Sequence, residues 1–202
     1  MSVFDLPGIW LASRSPRRRE LLDQLGIRHQ TLDIDTDEST RADESPAAYA
    51  ERIALEKARA GLRMIEMQTL DSRPVLAADT CVILEEQILG KPVTPLRAHE
   101  MLRQLSGRQH QVMTAIAFMT PSQTLTALSV SEVRFAPLTA QQIDAYVSSG
   151  EPLDKAGGYA IQGAAAAFVT HLSGSYSGVM GLPLHEVYTL LGQLNHDHSH
   201  FD

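Results

Sequence analysis

The 202-residue sequence is poor in cysteine and in long apolar runs. Its one cysteine, Cys81, excludes an internal disulfide bond and a cysteine-based zinc cluster. No stretch approaches the roughly 20 consecutive apolar residues that a membrane-spanning helix needs. Asp5 and Pro7 interrupt the N-terminal segment before an apolar run of signal-peptide length forms. We therefore expect a cytoplasmic protein without a membrane partner.

Positive charge is also scarce. The formal net charge is −7 and the pI is near 5.6, which argues against a general nucleic-acid binder with its broad basic surface. Hydrophobic residues make up 44% and charged residues 20% of the chain, as in an ordinary globular enzyme or binding domain. The length suffices for a proper core, built as one domain or as two closely joined lobes.

The segment Ile9–Arg19 carries the strongest local signal for a ligand. Its first four residues are apolar and predict a buried strand, while Ser15 and Pro16 predict a capped helix start. Arg17 and Arg18 follow in the first helical turn, where cations oppose the helix dipole. An anion at the helix start would offset that cost, and phosphate is the leading candidate. The alternative is the start of an ordinary exposed amphipathic helix.

Strand-like and helix-like segments alternate along the rest of the chain. Strands are predicted at residues 9–12, 29–34, 74–84, 88–89, 111–120, 125–135 and 168–172. Helices are predicted from residue 16, and at residues 46–67, 95–105, 139–147 and 184–194. The two long strands on either side of the turn at Pro121 predict an antiparallel hairpin.

This alternation predicts an α/β fold with a mixed, elongated and twisted sheet flanked by helices, in two lobes around a central cleft. We expect residues 1–195 to form a single domain. The tail 196–202 contains three histidines in alternation, which is one pattern for metal binding. We interpret the tail instead as a flexible terminus outside the site.

Asp79 is the second strong signal, because it lies inside an apolar β-like run. A carboxylate in such a run is costly to bury unless it is paired, hydrogen-bonded or bound to a metal. Beside a cleft it would serve as a general base or a Mg²⁺ ligand. The alternative is an aspartate that caps a turn, but the strand pattern continues through Ile83 without a turn signal. We therefore interpret Asp79 as functional.

Two lysines and a glutamate extend the candidate site. Lys57 lies in a small, apolar stripe of the second predicted helix, and Lys91 lies in a loop just before the third. Either could instead reach solvent. Together with Arg17 and Arg18, they would surround a triphosphate. Glu38 ends an acidic run that otherwise suits a solvated loop, and it is a candidate for a second metal ligand or a water-orienting group.

Gln162 belongs to a late glycine-rich region. Glycines permit a close approach of the backbone to a ligand. The Gln162 side-chain amide both donates and accepts hydrogen bonds, and is therefore suited to read the edge of a base.

In their order and spacing, these motifs together resemble the Maf family of nucleoside triphosphate pyrophosphatases. The resemblance covers nearly the whole chain and is highly specific as a set. It is carried by Ser13-Arg14-Ser15-Pro16-Arg17-Arg18, Glu56-Lys57-Ala58, Ala78-Asp79-Thr80, Gly90-Lys91-Pro92, Leu105-Ser106-Gly107, Asp154-Lys155-Ala156-Gly157, Ile161-Gln162-Gly163 and Val179-Met180-Gly181-Leu182-Pro183.

The resemblance implies a Maf/ITPase-like catalytic domain. It implies hydrolysis of the α–β phosphoanhydride, which gives a nucleoside monophosphate and pyrophosphate with the help of a divalent metal, Mg²⁺ or Mn²⁺. Asp79 would accept the proton of the attacking water, and Glu38 matches the acidic position nearby. Both carboxylates stay candidates for metal ligands. The positions that match the family's phosphate site are Ser13, Arg17, Arg18, Lys57 and Lys91. A homodimer is also implied.

Three positions choose the base in this family. The subgroup that acts on dTTP and UTP has arginine, threonine and glutamine there, and the subgroup that acts on 7-methyl-GTP has tryptophan, glutamine and glutamate. This chain has Arg17, Thr80 and Gln162, and so resembles the dTTP/UTP subgroup. The chemistry agrees in part, because a neutral amide suits a uracil or thymine edge, whereas a cationic 7-methylguanine favours a carboxylate or a tryptophan.

Two other functions compete with this prediction. One is the same reaction on 7-methyl-GTP or on another modified nucleotide. The other is a non-enzymatic, nucleotide-binding regulator of septum formation. Asp79 beside the candidate cations disfavours the regulator, because a protein that only binds nucleotide needs no water-activating carboxylate. The expected role of the enzyme is to cleanse nucleotide pools of non-canonical pyrimidine nucleotides.

Overall fold

The computed structural model describes residues 6–198, with side chains through residue 194. The strands are β1 (Ile9–Ala12), β2 (His29–Leu32), β3 (Val75–Leu84), β4 (Gln87–Leu89), β5 (Gln109–Met119), β6 (Thr124–Phe135) and β7 (Val169–Ser173). The helices are α1 (Pro16–Gln24), α2 (Pro46–Met67), α3 (Pro95–Leu105), α4 (Ala140–Ser148), α5 (Tyr176–Met180) and α6 (Leu184–His198). Short 3-10 turns lie at Glu151–Asp154, Ala156–Gly158 and Ala164–Phe168.

The strands form one mixed sheet in the order β2-β1-β3-β5-β6-β7, and β4 pairs with β3. β1 is parallel to both β2 and β3, whereas the β3–β5, β5–β6 and β6–β7 pairs are antiparallel. The predicted mixed α/β sheet flanked by helices is therefore confirmed, and so is the long hairpin of β5 and β6. The division into two lobes stays a prediction.

Helices cover both faces of the sheet. α2 buries Ile53, Ala54, Ala58 and Ile65 at helical spacing, and they pack on one face. The apolar residues of α1 and α6 pack on the opposite face, and α3 and α4 pack at the far end of the sheet. Strand β3 contributes to all three of these apolar clusters, so its residues are fixed from both sides.

The sequence-based bounds need small corrections. β2 ends at Leu32 and not at residue 34, because its partner β1 ends at Ala12, the residue that pairs with Leu32. α5 was not predicted, and five residues are too few to show a helical period. α6 continues to His198 beyond the predicted end at residue 194, and residues 199–202 of the predicted tail lie outside the described residues.

Candidate active site

The candidate site forms where β1 ends and β3 continues. Leu11 pairs with Leu76, and β1 stops one residue later, whereas β3 runs on to Leu84. Asp79 and Thr80 therefore lie just beyond the carboxyl end of β1, next to the start of α1. The carboxyl ends of parallel strands are where α/β folds place ligands.

Strand alternation sends Asp79 and Thr80 toward opposite faces of the sheet. Asp79 lies on the same face of β3 as Val75 and Ala77, which pack beneath α2. Thr80 lies on the same face of β3 as Leu76, which packs beneath α1 and α6. Because β1 has ended, groups on the two faces line a single cavity.

On the α2 face, Lys57 joins two carboxylates. Its Nζ lies 2.8 Å from Asp79 Oδ1 and 2.6 Å from Glu38 Oε1, and Lys91 Nζ lies 3.8 Å from Glu38 Oε2. The side chains of Asp79 and Lys57 are largely buried, with 9% and 12% exposed. Such pairing offsets the cost of burying a carboxylate. The structure thus brings Asp79, Glu38, Lys57 and Lys91 into one cluster.

Glu38 is held in the cluster by its backbone as well as by its charge. The hydroxyl of Tyr49, on α2, donates to the Glu38 carbonyl oxygen at 2.9 Å and anchors the acidic loop. Burial alone would raise the pKa of Glu38. The hydrogen bond and charge of Lys57, with the charges of Lys91 and Arg18, outweigh burial and lower that pKa. Glu38 is therefore a carboxylate at neutral pH.

On the opposite face, Arg18 is fixed by neutral acceptors only. Its Nε donates to the Gly181 carbonyl at 2.8 Å, and its two terminal nitrogens lie 3.1 Å from Ser13 Oγ and 3.3 Å from Thr80 Oγ1. Burial lowers the pKa of Arg18, and the Asp79 charge partly offsets that effect. Among the described residues, Arg18 forms no ion pair. A partly buried cation without a counterion is suited to bind an anionic ligand.

Arg17 also forms no ion pair among the described residues, and no N-cap side chain accepts from the first turn of α1. Burial also lowers the pKa of Arg17. Ser15 occupies the predicted N-cap position, but its side chain does not accept from the first turn, whereas the N-cap side chains of α2, α3 and α4 do. The Ser15 amide donates instead to Ser13 Oγ at 3.2 Å. The prediction that the Ser15 side chain caps α1 is therefore wrong. Because the Ser15 side chain makes no cap, the first-turn amides are available to an anion.

All of these groups line one cavity of about 880 Å³. Its volume is within the range of small-molecule sites. Gln162, whose side chain is exposed, lies in the same wall as Glu151, Lys155 and Tyr159. Every residue predicted for the site lines this cavity: Ser13, Arg17, Arg18, Glu38, Lys57, Asp79, Thr80, Lys91 and Gln162.

The carboxylates fit the divalent metal that the resemblance implies. Asp79 and Glu38 each bring one oxygen to the same lysine nitrogen, so the two carboxylates lie close together in the cavity. One or two carboxylates together with substrate phosphate oxygens are the usual donors to Mg²⁺. The described residues contain no cluster of three or more histidine, cysteine, aspartate or glutamate side chains suited to hold a metal.

Sequence reasoning missed three residues that support the site. Thr114 is fully buried, contacts Thr80 Oγ1 at 2.9 Å and donates to the Gly178 carbonyl at 2.8 Å. Tyr49 holds Glu38, and Glu151 holds the loop that carries Gln162. Only Thr114 left a signal in the sequence, as a hydroxyl within an apolar strand.

The family model described as Maf-like protein matches residues 8–194 of the chain. The chain belongs to the Maf family. Proteins named dTTP/UTP pyrophosphatase are among its curated relatives. The one from Polaromonas sp. strain JS666 is 50% identical over 189 residues, which cover 91% of this chain and 94% of that protein. The one from Ralstonia nicotianae is 51% identical, with 93% and 94% covered, and the one from Alkalilimnicola ehrlichii is 51% identical, with 96% of each covered.

Among solved structures, the Staphylococcus aureus Ham1 protein matches this Maf chain with a TM-score of 0.43 and 15% identity. That match covers 64% of this chain and 72% of the Ham1 chain. None of the helices in residues 6–198 combines the length and the apolar character that a membrane span requires.

Proposed function

We propose that this Maf protein is a nucleoside triphosphate pyrophosphatase that hydrolyses dTTP and UTP to the nucleoside monophosphate and pyrophosphate. Its relatives of about 50% identity carry that name. The observation that carries the proposal is the position of Asp79 in one cavity with Arg17, Arg18 and Lys57. The cavity thus combines a candidate proton acceptor with cations for a triphosphate.

The cations hold the triphosphate and offset the charge that develops on the leaving pyrophosphate. Arg17 and Arg18 supply guanidinium groups that lack carboxylate partners among the described residues, and the first-turn amides of α1 add uncharged donors. Ser13 supports this end of the site by its contact with Arg18. Lys57 and Lys91 carry charge to the opposite side of the cavity.

Asp79 orients the attacking water and accepts its proton. Lys57 holds Asp79 Oδ1 in place, and the buried strand β3 fixes its backbone. A divalent ion, Mg²⁺ or Mn²⁺, bound by Asp79 and Glu38, would supply further stabilisation of negative charge on the phosphates. These assignments agree with the roles that the family resemblance implies.

Arg17, Thr80 and Gln162 choose the base. The Gln162 amide can pair with the donor-and-acceptor edge of uracil or thymine. Thr80 is fixed by Arg18 and Thr114, so its hydroxyl links the phosphate end of the site to the selecting residues. The proposed physiological role is the removal of non-canonical pyrimidine nucleotides from the nucleotide pool.

Further proposals follow from the sequence and from the family resemblance. The catalytic domain comprises residues 1–195 in two lobes around the cavity. The protein works in the cytoplasm as a homodimer. Neither nucleic acid nor membrane is a partner, because the net charge is −7.

A nucleotide panel tests the proposed function. Pyrophosphate release is measured from dTTP, UTP, CTP and 7-methyl-GTP, with Mg²⁺ or Mn²⁺ and with EDTA. We expect the highest kcat/KM for dTTP and UTP, and loss of activity in EDTA. A preference for 7-methyl-GTP would contradict the choice of base. Nucleotide binding without turnover of any substrate would instead favour the regulator.

A further inference from the structure

Glu151 lies in the cavity wall beside the loop that carries Gln162. It begins the 3-10 turn Glu151–Asp154, directly after α4 and Gly150. Its Oε1 accepts from the Tyr146 hydroxyl at 2.8 Å, and its Oε2 accepts from the Ala164 amide at 3.3 Å. One carboxylate therefore ties the end of α4 to the segment that follows Gln162.

Tyr146 extends this connection to the other side of Gln162. Its hydroxyl donates to Glu151 and accepts from the Ala160 amide at 3.1 Å. Tyr146 is buried, with 4% of its surface exposed, so its hydroxyl is held within the protein interior. Ala160 and Ala164 each lie two residues from Gln162, and the backbone is anchored on both sides of that residue.

Gly163 shows how closely the carboxylate packs on this loop. A Cβ atom at Gly163 would lie 2.2 Å from Glu151 Oε1 and 2.5 Å from its carboxyl carbon. No side chain fits in that space without moving the carboxylate. The residue next to Gln162 is therefore a glycine because of the close approach of Glu151; its φ of −101° is open to any residue.

Glu151 and Arg17 line the same cavity. Burial lowers the pKa of Arg17, and the nearby carboxylates of Asp154, Glu20 and Glu151 partly offset that effect. The contact that Glu151 makes with a base-selecting segment is its hydrogen bond to the loop of Gln162.

We propose that Glu151 is a positioning residue for base selection, acting with Tyr146 to hold the Gln162 loop in the orientation that accepts uracil or thymine. The proposal rests on the proposed function, because it concerns the choice among nucleotide substrates. Uracil presents an acceptor oxygen where cytosine presents an amino donor. An amide selects between them only while its loop is held in place, since its two ends have opposite hydrogen-bonding character.

The test compares Glu151→Gln, Tyr146→Phe and Gly163→Ala with the wild-type protein. The first removes the charge, the second removes the shared hydroxyl, and the third pushes the loop away from the carboxylate. We expect the ratio of kcat/KM for UTP to that for CTP to fall about tenfold in each variant, mainly through a higher KM for UTP. The double variant of Glu151 and Tyr146 should be no worse than either single one, because both belong to one network.

Two controls distinguish a loss of base selection from a general loss of activity. Ribose 5-triphosphate has no base, and its turnover should stay near the wild-type value in every variant. Glu86→Gln removes the charge of an exposed glutamate in the turn between β3 and β4, and should change neither the ratio nor the turnover. Thermal unfolding by circular dichroism establishes that each variant is folded. If Glu151→Gln does not fold, Tyr146→Phe and Gly163→Ala carry the test.

The outcomes distinguish the two proposals. Absence of pyrophosphate release from dTTP and UTP by the wild type would overturn the proposed function. Normal wild-type activity, with an unchanged UTP-to-CTP ratio in folded variants, would overturn only the role of Glu151. A parallel loss of ribose 5-triphosphate turnover would place Glu151 at the phosphates and would also overturn its positioning role.

Discussion

Buried polar side chains in this protein differ in how the surrounding protein satisfies them. Asp79 is paired with Lys57 at 2.8 Å, and Arg18 is bonded to three neutral oxygens. His110 is 2% exposed, and its Nε2 contacts the Tyr159 hydroxyl at 2.8 Å. Its Nδ1 has no hydrogen-bond partner in the described part of the chain. The first two belong to the cavity, whereas His110 belongs to the aromatic core with Phe135.

His110 makes the stability of the protein dependent on pH. Burial lowers its pKa from 6.5 to about 4. Between those values the unfolded chain binds a proton that the folded chain does not, so the free energy of unfolding falls as the pH falls from 6.5 to 4. For this group, the loss between pH 7 and pH 5 is about 2 kcal/mol. Urea unfolding at both pH values measures it.

His110→Gln should lose that part of the pH dependence, whatever its stability at pH 7. The matched control is His185→Gln, because His185 is exposed at the start of α6. This control should keep the wild-type pH dependence. An unchanged dependence in His110→Gln would show that His110 is not the buried neutral group described above.

At the scale of elements, α2 approaches the sheet through a glycine. A Cβ atom at Gly61 would lie 2.8 Å from Val75 Cγ1, 3.2 Å from Ala12 Cβ and 3.3 Å from Leu32 Cδ1. Those atoms belong to β3, β1 and β2, so Gly61 sets the distance between the helix and three strands. This distance also sets the reach of Lys57, one turn earlier on α2.

Gly61→Ala should destabilise the protein by about 1–3 kcal/mol, because overpacking outweighs the better helix propensity of alanine. Gly192 in α6 is the matched control, since an added Cβ there meets no described atom within 4 Å. Gly192→Ala should stabilise by up to about 1 kcal/mol. Urea unfolding of both variants measures the two effects, and equal effects of the same sign would contradict the tight packing of α2.

Local sequence signals predicted most elements of the fold well. Ser45 and Thr94, each followed by proline, predicted the starts of α2 and α3, and both side chains form the expected caps. The end of β2 could not be predicted, because it depends on where its neighbour β1 ends. α5 also lacked a signal: it is held by the Ser175 cap and by Gly181 with φ 115°.

Site residues could be predicted from the sequence where a charged side chain is unfavourable in its local surroundings. Asp79 in an apolar strand and Arg17 at a helix start are such cases, and both line the cavity. Thr114 and Glu151 do not conflict locally. Thr114 acts because the pairing register sets it opposite Thr80. The roles of individual residues stay predictions.

At the scale of the whole molecule, an acidic chain places two adjacent arginines in one cavity of ligand size. The net charge is −7, yet Arg17 and Arg18 line the cavity without an ion pair among the described residues. Such an arrangement is costly without ligand and favourable with an anionic one. The free protein should therefore be less stable than its complex with nucleotide.

Arg17→Met tests this trade between stability and binding. Among the described residues, the side chain of Arg17 forms no hydrogen bond or ion pair, so the ligand-free Tm should not fall. The rise in Tm caused by a non-hydrolysable UTP analogue should shrink, because one phosphate contact is lost. Differential scanning calorimetry with and without the analogue measures both values. An undiminished rise in Tm would show that Arg17 does not contact the nucleotide.

In the proposed reaction, Asp79 activates water in this cavity to split the α–β bond of a pyrimidine nucleoside triphosphate. The most direct measurement follows the hydrolysis of UTP in ¹⁸O-labelled water by the wild type and by Asp79→Asn, both verified as folded. We expect UMP and pyrophosphate in equal amounts from the wild type and no turnover by Asp79→Asn. Pyrophosphate release by the folded variant at a rate near that of the wild type would contradict it.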